Sequence, residues 1–186
     1  MKSDLFPAFK EWEVIVAALG SGAQTLILRK GGIVEDEGGF RPKAGRFWLF
    51  PTTFHGQRTR LKPAAFARAP MPAVALHGDI TLRYAAETVC SSFLTDWSVV
   101  VRLDPYHLWT EATIRERYDR ARPPGVHAMI VRVHRLRTPL AFPRTAAMRG
   151  CRSWIELPYD PADLPSEPVL TEAAFAARRE EFRAIW

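Results

Sequence analysis

Between Ile80 and Cys90 the chain alternates one residue at a time, with Ile80, Leu82, Tyr84, Ala86, Thr88 and Cys90 on one side and Thr81, Arg83, Ala85, Glu87 and Val89 on the other. A period of two predicts a long, half-buried strand. Shorter apolar runs predict strands at Gln24–Arg29, Arg46–Phe50, Trp97–Leu103, Val126–Leu136 and Ser153–Leu157. In Val126–Leu136, Met129, Val131 and Val133 share one face and Arg132 and His134 the other, so Arg132 is expected to be presented. Phe9, Trp12, Val16 and Leu19 recur at helical spacing between Pro7 and Gly20, which predicts a helix there, with a strand over Trp12–Val16 as the competing reading. Asp104-Pro105 or Thr110 is expected to start a helix with a stripe of Ile114, Tyr118 and Ala121. Thr171 is expected to cap a last amphipathic helix bearing Phe175, Phe182 and Trp186. Arg58–Pro72 reads as a surface loop with a short helix.

Six strands and three helices in mixed order predict an α+β fold, a mixed curved sheet or small barrel with flanking helices. The expected organisation is one domain over residues 1–158, an acidic, proline-rich linker over 159–170, and a C-terminal helix over 171–186 packed on the same domain. A chain of 186 residues with 47% apolar content can bury one sizeable core. No apolar run is long enough to span a membrane and the start lacks a signal-peptide pattern, so a cytoplasmic protein without membrane contact is expected.

Charge changes the picture because it is segregated. The net charge is +6, with nine Lys/Arg against three Asp/Glu over residues 29–70 and ten against two over residues 113–152, while the flanking stretches are acidic. Nearly all of the positive charge is arginine, whose planar fork suits phosphate, so charge favours DNA or RNA as partner. An arginine-rich composition without a partner explains the same counts.

Several chemistries are excluded by spacing. None of the residues two before Lys10, Lys30, Lys43 or Lys62 is acidic, which removes the (E/D)-x-K core of restriction-type nucleases. There is no G-x-x-x-x-G-K-[ST], H-E-x-x-H, C-x-x-C or G-x-S-x-G. His77-Gly78-Asp79 offers two metal ligands without a third, and reads more simply as a turn. Cys151, beside arginines that lower a thiol pKa, is a weaker candidate for a nucleophile than for a packing residue. Neither a metal nor a cofactor is expected.

One constellation remains. Arg29-Lys30-Gly31-Gly32 ends one strand in cations and side-chain-free residues, and Trp48, Phe50, Thr52 and His55 end another in aromatics, a hydroxyl and an imidazole. If these strands pair, their ends meet at a place where backbone N–H groups and cations hold phosphate and aromatics stack on a base. A hairpin turn and core packing account for the same residues. Arg58, Arg60, Arg115 and Arg132 are the further phosphate candidates, and Trp12, Trp48, Phe50 and Trp154 the aromatic pocket. Trp154, opposite Ile155 on its strand, is expected as a stacking platform, with a lid over a secondary cluster as the alternative.

Lys10-Glu11-Trp12, Leu28-Arg29-Lys30-Gly31-Gly32-Ile33 with Glu35, Phe47-x-Leu49-Phe50-Pro51-Thr52-x-x-His55, Arg132-Val133 and Gly150-Cys151-x-Ser153-Trp154 resemble the bacterial family known as domain of unknown function 1802. The resemblance spans about residues 9 to 157. His55 is followed here by Gly56 and then Gln57, where the resemblance puts a glutamine at once. It implies an association with Mrr-type restriction endonuclease domains, and so a role in DNA restriction or defence with such an endonuclease as partner. In architecture the expected sheet is also similar to modules of the pseudouridine-synthase and archaeosine-transglycosylase (PUA) type, which read modified or flipped bases. The expected function is a nucleic-acid-binding, modified-base-reading module. The alternatives are a small enzyme acting on a nucleotide or phosphorylated metabolite, with Arg29 and Lys30 on phosphate and His55 or Glu35 as acid/base, and a protein-interaction subunit.

Overall fold

The computed structural model describes residues 4–30, 45–53, 57–68, 79–120, 122–150 and 152–186. Within these residues seven strands form one mixed sheet: β1 (Phe6–Trp12), β2 (Leu26–Lys30), β3 (Arg46–Thr52), β4 (Asp79–Leu94), β5 (Val126–Pro143), β6 (Trp154–Leu157) and β7 (Ser166–Pro168). Their order is β2-β5-β4-β3-β1-β6, with β7 paired to β5 beyond the stretch that β2 occupies. The β1–β3 pair is parallel and the others are antiparallel. Among the described residues six α-helices flank the sheet: α1 (Glu13–Gly20), α2 (Gln57–Arg60), α3 (Pro63–Arg68), α4 (Trp97–Arg102), α5 (Glu111–Asp119) and α6 (Glu172–Arg183). The architecture is the curled α+β sheet with flanking helices that the sequence predicts.

β3 explains why the sheet is covered on both sides. Its apolar run sends Phe47 and Leu49 into a large cluster beneath α1, α5 and α6, and Trp48 and Phe50 into a second cluster with Ala8, Leu82 and Ile155. All four side chains are fully buried. Each stabilises the fold by about 1.5–3 kcal/mol relative to exposure. The alternation of β4 is interrupted by an irregularity between Leu82 and Tyr84, so that Ala85, not Tyr84, follows Ile80 and Leu82 into the second cluster. A bulge shifts the phase of a strand by one residue. A second irregularity between Thr88 and Cys90 leaves the Cys90 thiol exposed.

Two predicted elements differ. The segment from Pro7 to Gly20 is β1 followed by α1, because Ala8 to Trp12 pair in register with Trp48 to Thr52 and long-range ladder bonds override the helical spacing. Trp97–Leu103 is helical, not extended. The Asp96 carboxylate caps it by accepting from the Ser98 N–H at 2.8 Å, and Trp97 packs on Tyr118 of α5. Capping and tertiary contact outweigh the β-preference of Val99 to Val101. Residues 159–170, expected as a linker, carry β7, and Val169 N–H donates to the Val133 carbonyl. Thr171 caps α6 through the Ala174 N–H, and Phe175 and Phe182 are buried beneath it.

Candidate nucleic-acid interface

β2 and β3 do not pair, since β5 and β4 lie between them. Their ends converge all the same. The sheet curls until Arg29 on β2 reaches β1, where its guanidinium donates to the Lys10 carbonyl and lies 3.6 Å from the Glu11 carboxylate and 4.7 Å from the Phe9 ring centroid. Thr52, at the end of β3, donates its hydroxyl to the Glu11 carbonyl at 3.0 Å.

Above this junction lies a cavity of about 400 Å³. Its lower wall is Lys10, Trp12, Arg29, Phe50, Thr52 and Thr53. Its upper wall is the β5–β6 connection, with Arg144, Met148, Arg149, Gly150, Arg152 and Ser153. Antiparallel pairing of Phe9 with Trp154 sets that loop over β1, the Lys10 N–H donates to the Ser153 carbonyl at 2.7 Å, and Lys10 Nζ donates to the Gly150 carbonyl at 2.6 Å. Gly150 has φ of 91°, a conformation that favours glycine.

Among the described residues the lining holds five cationic side chains and no carboxylate. Glu11, 1% exposed, sits behind the wall, accepts from the Trp12 N–H at 2.7 Å and faces Arg29. A second arginine draws on the same carboxylate. Arg117 of α5 lies 3.8 Å from the Trp109 ring centroid and donates to the Leu28 carbonyl, and burial, together with the nearby Arg29 charge, pushes its pKa down to about 9. Arg149 and Arg152 are exposed and have no ion pair among the described residues. The Nε atoms of Arg29 and Arg144 are buried and lack a hydrogen-bond partner. Buried donors left unsatisfied in this way cost about 1–3 kcal/mol each. An anionic ligand with several acceptor oxygens would satisfy them.

Of the residues singled out from sequence, Trp12, Arg29, Phe50 and Thr52 meet at the cavity, with Phe50 as a fully buried floor. Others are placed elsewhere. Trp48 is fully buried in the second cluster and donates to the Tyr159 carbonyl at 2.8 Å, so its face is not available for stacking. Trp154 lies opposite Ile155, as period two requires, but packs on Phe9 and Phe47 with centroids 4.9 and 5.1 Å away. Both partners belong to the large cluster, not to a secondary one. Arg60 pairs with Glu116 at 2.8 Å, Arg115 with Asp119 at 2.9 Å beneath the Trp97 ring, and Arg132 with Glu172 at 2.5 Å over Phe175. None of these three lines the cavity, and neither does Lys30. Gly31, Gly32, Glu35, His55, His77, Gly78, Cys151 and the side chain of Arg58 lie outside the described residues.

Lys10, Arg144, Arg149 and Arg152 were not chosen from sequence as ligand contacts. Two signals pointed to them: the basic block over 113–152, and the pairing of the Lys10-Glu11-Trp12 and Gly150–Trp154 motifs, which become neighbours through β1 and β6. Among the described residues no group of three His, Cys, Asp or Glu side chains is placed to hold a metal ion, and no helix is long and apolar enough to cross a membrane.

A crystal structure of a ZmASCH mutant protein from Zymomonas mobilis is similar to the chain, at a TM-score of 0.46 and 14% identity over 72% of each chain. No curated protein matches. A family model matches residues 8–181, through all seven strands and most of α6, and on that match the chain belongs to the family described as domain of unknown function DUF1802.

Proposed function

We propose that the protein is a nucleic-acid-binding module whose cavity between β1, β3 and the β5–β6 connection receives one nucleotide of a strand. The observation that carries this reading is the cavity's composition among the described residues: five cations, three hydroxyl side chains and two aromatic rings without a carboxylate in the wall. Arginine forks hold phosphate oxygens, Thr52, Thr53 and Ser153 add short polar contacts, and Trp12 offers an indole against which a base packs. A volume of about 400 Å³ lies within the range of sites that enclose a small ligand and far below that of a duplex groove. Recognition of an unpaired or extruded nucleotide follows from that size.

On the family resemblance, the role we propose is recognition in DNA restriction or defence, with cleavage supplied by a partner. Titration of single-stranded and duplex oligonucleotides at two salt concentrations tests the reading. It predicts tighter binding to the single strand and an affinity that falls steeply with salt. Absence of binding at low salt, or affinity indifferent to salt, contradicts it.

A further inference from the structure

Three of the candidate phosphate arginines are taken up by carboxylates: Arg60 by Glu116, Arg115 by Asp119 and Arg132 by Glu172. Around one concavity, by contrast, Arg149 and Arg152 stand exposed without an ion pair among the described residues, and Arg144 and Arg29 each bury an Nε–H that has no hydrogen-bond partner there. Beneath them the half-buried guanidiniums of Arg29 and Arg117 both interact with the buried carboxylate of Glu11.

An internal phosphodiester brings one negative charge and two free oxygens. A phosphomonoester brings about −1.5 to −2 charges at neutral pH and three terminal oxygens. Several arginine forks with unsatisfied donors around one small volume match the second ligand better than the first. A duplex or the body of a strand presents its phosphates spaced along a line, whereas the five cations of the lining surround one concavity.

Resting on the nucleic-acid reading above, we propose that the cavity recognises a phosphomonoester, the terminal phosphate of a strand or nucleotide, in preference to an internal phosphodiester. Arg29 and Arg144 are the residues that hold its oxygens from within, with Arg149 and Arg152 closing over the charge. Arg29 is pre-set for this by its bond to the Lys10 carbonyl and by Glu11, so little side-chain freedom is lost on binding.

The test compares four probes on the folded chain: one single-stranded oligonucleotide with hydroxyl ends, the same strand phosphorylated at the 5′ end or at the 3′ end, and a mononucleotide. At least tenfold tighter binding of one phosphorylated end at pH 7.5 is expected, with the preference shrinking towards pH 5 as the phosphate loses its second charge near pH 6. Which end, or the mononucleotide, binds best identifies the source of the group. Equal affinity for hydroxyl-ended and phosphorylated strands overturns the inference and leaves nucleic-acid binding standing. Binding of the mononucleotide alone upholds the phosphomonoester and overturns the nucleic-acid reading, and binding of none overturns both. Arg144→Lys keeps the charge but removes the fork, so it should erase most of the end preference. A preference unchanged in Arg144→Lys and in Arg29→Lys, each verified as folded by its melting curve, also overturns the inference.

Discussion

Arg29 donates a hydrogen bond to the carbonyl of Lys10 although three strands separate β2 from β1 in the sheet. One side chain thus bridges the open side of the half-barrel and forms the cavity floor. It also faces Glu11, which is 1% exposed. Truncating one partner of a buried pair leaves the other uncompensated, so Arg29→Ala should cost about 3 kcal/mol and lower the melting temperature by roughly 6–12 °C. Arg149→Ala, at an exposed loop position, should stay within about 0.5 kcal/mol. Thermal melts of the two variants beside the wild type check the contrast; equal stability would mean that the bridge does not hold the curl.

Gly20, the last residue of α1, packs flat against the ring of Tyr84. A methyl group there would meet the ring at 2.2 Å. Gly20→Ala should therefore destabilise the protein by about 1–3 kcal/mol. Combining it with Tyr84→Leu should recover part of that loss, and a double-mutant cycle by denaturant unfolding reads the coupling.

Trp154 contacts Phe9 and Phe47 with its ring tilted on both. Trp154→Ala is expected to cost about 3 kcal/mol in stability while the folded fraction binds oligonucleotide with the wild-type affinity. A stable variant with weakened binding would return Trp154 to the stacking role expected from its position opposite Ile155.

The fold was legible where local pattern and long-range packing agree, as at Ile80 to Leu82 and at Thr171 to Phe182. It was not legible at Phe9 and Trp12. Their helical spacing with Val16 and Leu19 spans a boundary between a strand and a helix, and only the partner strand decides where that boundary falls. Of the cavity, Arg29, Thr52 and the basic block could be read from the chain. Arg144 and Arg149 could not be assigned, because the loop that carries them has no motif of its own and is set in place by β6 on β1. Trp48 and Phe50 share one face of β3, and only the opposing cluster shows that both are covered.

Acid should weaken the fold through His107. Its imidazole is almost wholly buried, and burial, with the neighbouring Lys62 charge, pushes its pKa down to about 3. Between that value and the unfolded one near 6.5, only the unfolded chain binds the proton. Stability is therefore fully present above about pH 6.5 and is lost as pH falls, on the order of 1 kcal/mol per unit towards pH 4. His107→Gln should flatten that limb of the stability profile measured by urea unfolding, and an unchanged slope would place the acid sensitivity elsewhere.

The central claim, that the cationic cavity binds nucleic acid, is tested most directly by the salt dependence of binding in Arg149→Ala/Arg152→Ala. Both side chains are exposed and unpaired among the described residues, so the fold should be unaffected. If they neutralise two phosphate charges, the slope of log affinity against log salt for a single strand should become shallower by about 1.4, with at least a tenfold loss of affinity at low salt. Affinity and slope equal to those of the wild type, in a variant with an unchanged melting temperature, would contradict the account.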